Sequence, residues 1–275
     1  MWRSVCLVCA LVLTGCSNQS QYIERGEYIV DQRSIKEPWL SKPNKYLVFH
    51  YTALNDEASL RVLTAGGVSV QYLVPTIPAV RDGKPVVLQL VPEGNEAWHA
   101  GKSHWRGENS LNKSSIGVEI VNPGTVKMSV GQRWVPYQTA QIDLIVKLAQ
   151  DVIARHNIAP QNVVGHSDIA PQRKLDPGPM FPWEYLAKRG VGAWPDAPDV
   201  KRFLGNRHPS DKISVGELQQ ALKKYGYEIP LTGKADGKTR NVIKAFQMHF
   251  RSHKVNGEAD AETLALVKAL LKKYN

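Results

Sequence analysis

The chain is poor in cysteine. It has three in 275 residues, Cys6, Cys9 and Cys16, all within the first sixteen positions. The remaining chain has no thiol for a disulfide or a thiolate metal site, so it must rely on an apolar core and other kinds of ligand. Long apolar runs are missing too. Val5 to Leu13 is a continuous apolar stretch, well short of the roughly 20 residues that a spanning helix needs. Acidic residues are the scarcer charge, 25 against 35 Lys and Arg, for a formal net charge of +10. That balance selects an anionic partner, and the dispersal of the cations argues against nucleic acid and for an anionic polymer or lipid. With 43% hydrophobic and 22% charged residues, the composition is globular and excludes disorder, collagen and a polytopic membrane protein. The length suits one well-cored domain and a smaller second one.

The first sixteen residues do not belong to the fold. Arg3 supplies a positive charge, the apolar run follows, and it closes in Leu13-Thr14-Gly15-Cys16. That closure resembles the bacterial lipobox, which implies cleavage before Cys16 and its lipidation. Ser17, in place of Asp, implies outer-membrane sorting and a lipid-anchored protein facing the periplasm. Residues 17–36 are polar and read as a tether.

Strand signals begin at Tyr46–Thr52 and continue at Val68–Val74 and at Val86–Val91, which a turn at Gly83 precedes. Ser115–Val121 is apolar on both faces apart from Glu119, the pattern of a central buried strand. Helical spacing of Ile142, Ile145, Val146, Ala149, Val152 and Ile153 predicts a long helix over Thr139–His156. Val163–His166 reads as a short strand running into a loop. Strands interleaved with helices give an α/β domain ending near Pro195. Gly and Pro residues between Val191 and Pro209 read as a linker, which makes a flexible tether between two domains. Beyond it, Ser214, Asp236 and Asp260 open three short helical patterns. This unit carries 12 basic and 7 acidic residues from Ser210 onward, a net of +5.

Most of the eight histidines have bland settings. His156 closes the long helix, His208 sits in the linker, and His249 and His253 fall on what reads as a solvated face of the small unit. His50 and His166 each end an apolar strand, where side chains project from a sheet rim. Pro171 and Pro177 hold the segment between them extended, so Lys174 and Asp176, two apart, should face one site. Two imidazoles and a carboxylate form an ordinary catalytic zinc set.

His50-Tyr51-Thr52, Ala97-Trp98-His99-Ala100-Gly101, Gly117-Val118-Glu119, Gly165-His166-Ser167-Asp168 and Arg173-Lys174-Leu175-Asp176-Pro177-Gly178 together resemble the zinc-dependent N-acetylmuramoyl-L-alanine amidases of the amidase-2 class. These are related to phage T7 lysozyme and the peptidoglycan recognition proteins. The five motifs stand in the family's order over roughly residues 40–190. Leu218-Gln219, Gly226-Tyr227, Asp236-Gly237, Phe246-Gln247 and Ala259 to Thr263 resemble the three-helix peptidoglycan-binding module, with Asn256-Gly257-Glu258 departing from its second Asp-Gly loop.

The resemblance implies a mixed central sheet flanked by helices in residues 37–195, a linker at 196–209 and a peptidoglycan-binding three-helix domain at 210–275. It implies one Zn2+ per chain held by His50, His166 and Asp176, Glu119 as general base and acid, and Lys174 beside the oxyanion. Glu119 also has the reading of a buried ion-pair member, and Lys174 that of a solvated surface cation. Trp98 and His99 are candidate sugar or peptide contacts, with packing as the other reading for Trp98. Arg173 either holds a stem-peptide carboxylate or faces solvent, and Asn112 is equally open. The implied reaction is hydrolysis of the amide between the muramyl lactyl group and L-alanine, by a monomer acting on peptidoglycan or muropeptides. A zinc peptidase of the stem peptide and a non-catalytic peptidoglycan receptor are the rival readings.

Overall fold

A computed structural model describes residues 21–35 and 44–275; Cys16 and the lipobox lie outside the described residues. In chain order the elements are β1 (Tyr22–Arg25), β2 (Tyr28–Asp31), β3 (Tyr46–Tyr51), α1 (Asp56–Thr64), β4 (Tyr72–Val74), β5 (Val80–Arg81) and β6 (Lys84–Gln89). There follow β7 (His104–Trp105), β8 (Glu108–Asn109), β9 (Ser115–Ile120), β10 (Thr125–Lys127), β11 (Gln132–Trp134), α2 (Thr139–His156), β12 (Val163–Gly165) and α3 (His166–Ile169). The chain ends in α4 (Trp183–Ala187), α5 (Ala197–Leu204), α6 (Val215–Tyr225), α7 (Gly237–Phe250) and α8 (Ala261–Tyr274).

The main sheet runs β1-β2-β6-β4-β9-β3-β12, with β5 beside β6. β4, β9, β3 and β12 are mutually parallel, β6 is antiparallel to β4, and β2 is parallel to β6. The sheet is therefore mixed, as expected. Alternation divides its faces. Leu47 and Phe49 of β3 join Ile116, Val118 and Ile120 of β9 in a core against α2, whose Ile142, Ile145, Ala149 and Val152 are buried. Gln141 begins this helix with a bond from the Gln138 amide and pins it to the sheet by donating to the carbonyls of Pro75 and Val121. Asn157, in the left-handed region at φ 52°, ends it.

The expected strands at Val68–Val74 and Val86–Val91 are shorter or shifted, at Tyr72–Val74 and Lys84–Gln89. Residues 22–31, expected as tether, are instead a hairpin at the sheet edge. Tyr28, Ile29 and Val30 are buried, and β2 bonds to β6. The apolar signal there is only three residues long, Tyr28–Val30, so it stands out only once β6 is beside it.

The flexible linker is also corrected. Residues 197–204 form α5, which packs on α8, with Lys272 bonded to Asp199 and Lys273 to Asp196. Each of the last three helices opens as expected, on the side chains of Ser214, Asp236 and Asp260, which accept from Glu217, Thr239 and Thr263 amides. Their bundle shares one core with the sheet. Tyr46, Val48 and Val164 from the strands and Trp105 pack with Leu222, Tyr225, Tyr227 and Phe246. The Trp105 ring lies 4.9 Å from that of Tyr227 and 5.9 Å from that of Tyr225.

Each large apolar side chain fully buried contributes about 1.5–3 kcal/mol, so losing several at once is comparable to the whole stability of a domain, about 5–15 kcal/mol. A chain ending at Asp196 is therefore expected to lose its cooperative thermal transition, read by calorimetry and near-ultraviolet circular dichroism. A sharp transition within a few degrees of the full chain's would show that the shared core contributes little.

Candidate active site

The site lies at the carboxyl ends of the parallel strands, where open α/β sheets gather ligands. His50 of β3 stands opposite Glu119 of β9, so the two side chains leave the sheet on the same face as Gly117 and Ser115. His166 follows β12 directly as the first residue of α3. Asp176 comes from the loop after α3. That loop is turned rather than extended, with the Arg173 and Lys174 amides both bonded to the Ala170 carbonyl. A turn satisfies these backbone groups locally, and it still brings Lys174 and Asp176 to the same cleft.

Three atoms converge. His50 Nδ1 is 2.9 Å from His166 Nδ1 and 3.1 Å from Asp176 Oδ2, and His166 Nδ1 is 2.9 Å from the same oxygen. All three residues are buried. The proton positions follow from what lies behind them. Ser115 Oγ has one hydrogen, and the Leu111 carbonyl, 2.6 Å away, can only accept it. His99 Nε2, 3.1 Å from the same Oγ, must then donate. Burial and the neighbouring His50 and His166 push His99 well below the usual histidine range, so it is neutral and its Nδ1 is bare. That nitrogen accepts from His50 Nε2 at 2.9 Å. His50, lowered to about 4 chiefly by burial and by His166, is neutral as well, which leaves its Nδ1 bare. His166 Nε2 lies 3.2 Å from the Ala100 carbonyl, which only accepts, and 3.3 Å from Arg173 Nη2, which only donates.

Two imidazole nitrogens and a carboxylate oxygen thus point at one another. Despite its burial, the Asp176 carboxyl is held far below the ordinary carboxylate range by the charge and hydrogen bonding of His166 and by the hydrogen bond of His50. The proton in that bonding is one that a cation would displace on binding. Such a donor set fits a divalent cation. Nitrogen and oxygen bonds of about 2.0–2.2 Å around tetrahedral zinc place ligand atoms about 3.3–3.5 Å apart, and the observed triangle opens to that size by a few tenths of an ångström.

Glu119 Oε2 is enclosed without a hydrogen-bond partner. Burial, then the Asp176 charge, raises this carboxyl to about 8, and Lys174 opposes the rise. Glu119, His99, His166, Arg173, Lys174 and Asp176 line a cleft of about 420 Å³.

The other sequence candidates divide. Trp98 lines the cleft with 57% of its surface exposed, free to meet a ligand. His99 also borders the cleft, but both of its nitrogens are used in orienting His50. Arg173 is exposed at the cleft rim, as one of its two readings has it, and its Nε and Nη2 are bonded to the carbonyls of Ala100 and Lys102. Asn112 accepts from the Ala100 and Gly101 amides and so holds the loop on which His166 leans. Sequence reasoning missed Ser115 and helix α1, which supplies Ser59, Val62 and Leu63 to the cleft wall. The Asn55 cap before Asp56 and Glu57 was the available signal for that helix.

Residues 40–179 match the N-acetylmuramoyl-L-alanine amidase family, and residues 213–267 match a peptidoglycan binding domain. The amidase AmiD of Escherichia coli K12 is 47% identical over 96% of this chain and 95% of its own. This chain belongs to the N-acetylmuramoyl-L-alanine amidase family. Among solved structures, E. coli AmiD in complex with the substrate anhydro-N-acetylmuramic acid-L-Ala-D-gamma-Glu-L-Lys superposes with a TM-score of 0.82, covering 92% of this chain and 98% of that one. AmpDh3 of Pseudomonas aeruginosa in complex with anhydromuramic pentapeptide gives 0.76 at 38% identity, covering 87% and 95%.

Gly117 explains part of one motif. A Cβ there would lie 2.6 Å from His99 Cγ, so only glycine lets the His99 ring lie on β9 and reach His50. Gly117→Ala is expected to cost about 1–3 kcal/mol through overpacking and to weaken metal binding by displacing His99. Chemical denaturation and competition with a chelator measure the two effects; unchanged metal affinity would separate His99 from the site.

Proposed function

We propose that this chain is a zinc-dependent N-acetylmuramoyl-L-alanine amidase that hydrolyses the amide between the muramyl lactyl group and L-alanine of peptidoglycan or its fragments. The observation that carries the reading is the convergence of three buried ligand atoms beside a carboxyl group with an enclosed, unpaired oxygen, in a chain of this family. The muramyl peptides in the E. coli AmiD and P. aeruginosa AmpDh3 complexes support assigning the same substrate class to this cleft.

In this reading His50, His166 and Asp176 hold one zinc ion. Zinc supplies Lewis acidity, lowering the pKa of a water from 15.7 toward about 7 and polarising a carbonyl. Glu119 takes the proton of the attacking water and returns it to the departing amine of L-alanine. Its carboxyl group, lifted to about 8 by burial and the Asp176 charge against the opposing Lys174, works near neutrality, where one group can both accept and give a proton. Lys174 sets positive charge at the cleft wall, where the carbonyl oxygen becomes negative. Trp98 offers an apolar face to the sugar or peptide, and Arg173 fixes the wall behind His166. The unpaired Glu119 favours turnover over a receptor role, because a binding site gains nothing from an enclosed carboxylate without a partner. The C-terminal helices supply the peptidoglycan contact.

Glu119→Gln is expected to retain zinc and lower kcat by about 10²–10⁴-fold, whereas His166→Ala loses the metal. Mass analysis of digested muropeptides reads the activity as peptides with a free L-alanine amine. Zinc loss in Glu119→Gln would make it a structural or ligating group, and an unchanged kcat would require another base.

The reading extends to location. Leu13-Thr14-Gly15-Cys16 and Ser17 support acylation at Cys16 and anchoring in the outer membrane, facing the periplasm. Among the described residues no helix is long and apolar enough to cross a membrane, so a lipid would provide the attachment. Cys16→Ser is expected to abolish incorporation of radiolabelled fatty acid; equal labelling of both forms would refute the anchor.

A further inference from the structure

We propose that Tyr227 and His249, from the C-terminal unit, are positioning residues for the metal centre and act through the buried carboxylate of Asp168. The proposal rests on the metal reading of His50, His166 and Asp176.

His249 was expected on a solvated face. It is buried, and its ring is stacked between Trp183 at 3.7 Å and Phe250 at 3.9 Å, nearly parallel to both. That sandwich leaves the imidazole one plane to occupy. Its Nδ1 lies 2.7 Å from Asp168 Oδ2, while its Nε2 is enclosed without a hydrogen-bond partner. A carboxylate oxygen requires a donor, so the proton is on Nδ1. Tyr227 Oη donates to Asp168 Oδ1 at 2.6 Å, and the Gly165 amide donates to Oδ2 at 2.8 Å. Asp168 is wholly inaccessible to solvent, and a charge in that position is strongly unfavourable unless donors surround it. Two of its three donors come from the C-terminal unit.

What Asp168 grips is the short helix α3, which begins at the metal ligand His166. Its own bond to the Gly165 amide closes the turn around His166, and the Ser167 amide donates to the Asp176 carbonyl at 2.8 Å. One turn thus carries His166 and holds Asp176. A single helical turn is not stable alone, so its position is set by whatever clasps it. Gly165 also lies against Pro177, where a Cβ would approach the ring to 2.6 Å. A second tie joins the same loop to α7: Gln172 donates to the Lys238 carbonyl and accepts from Asn241. The C-terminal helices therefore support the metal ligands as well as carrying a wall-binding module.

The test compares variants by zinc affinity, by amide hydrogen exchange over residues 165–169 of the metal-free protein, and by thermal stability. Tyr227→Phe removes one hydroxyl and keeps the core. It is expected to weaken zinc binding about 10- to 100-fold, the usual effect of losing a group behind a metal ligand, and to speed exchange at 165–169. His249→Leu should do the same, and His249→Asn, which retains an N–H donor, should restore most of the affinity. Arg106→Ala breaks interface bonds to the Tyr225 carbonyl and Asn275 away from Asp168. It should lower thermal stability and leave zinc affinity and exchange at 165–169 unchanged. Wild-type zinc affinity and exchange in Tyr227→Phe would overturn the proposal, as would an equal effect of Arg106→Ala. If the full-length wild-type protein takes up no zinc while exchange still follows the Asp168 partners, the metal reading fails and the clasp on α3 stands.

Discussion

One backbone carbonyl determines the character of this site. That of Leu111 can only accept, and it sets the direction of the protons behind His50. Through Ser115 and His99 it leaves His50 Nδ1 bare. With His166 Nδ1 and Asp176 Oδ2 beside it, three ligand atoms face inward and the residues form a candidate cation site. Reversing any donor along the Leu111 chain would put a proton into the centre. The loops around Leu111 and Ala100 are therefore as much a part of the site as the ligands, and Asn112 fixes the second of them through the Ala100 and Gly101 amides.

The two sheet faces divide the work. One buries an aliphatic core against α2 and gives the strands their rigidity. The other carries His50, Glu119 and the His99 ring seated on Gly117. Polar groups can occupy that face because the C-terminal helices cover its lower part while the cleft stays open above. The bundle thus shares the core beneath the site, and through Asp168 it reaches the turn that carries His166.

Much of this was legible along the chain. The long helix over residues 139–156 was readable because its apolar positions repeat at 3.6 residues. The three C-terminal helices were readable because their caps are local bonds between residues three apart. His50, His166 and Glu119 stood out as polar groups on or just beyond apolar strands, and Asp176 through its motif. In each case the physical cause lies within a few residues of the signal.

What the sequence by itself determined is the central strands, the long helix, the three C-terminal helices, the family and the chemical types that meet in the site. What only the tertiary structure decided is which nitrogen of each histidine faces inward, and that His99 orients His50. The same holds for Arg173 being spent on carbonyls, residues 22–31 joining the sheet, residues 197–204 docking as a helix, and His249 reaching Asp168. All of these depend on partners tens of residues away, and an imidazole or guanidinium has the same sequence signature whichever partner it finds. Pattern reports which face a residue occupies; only packing reports what waits on the other side.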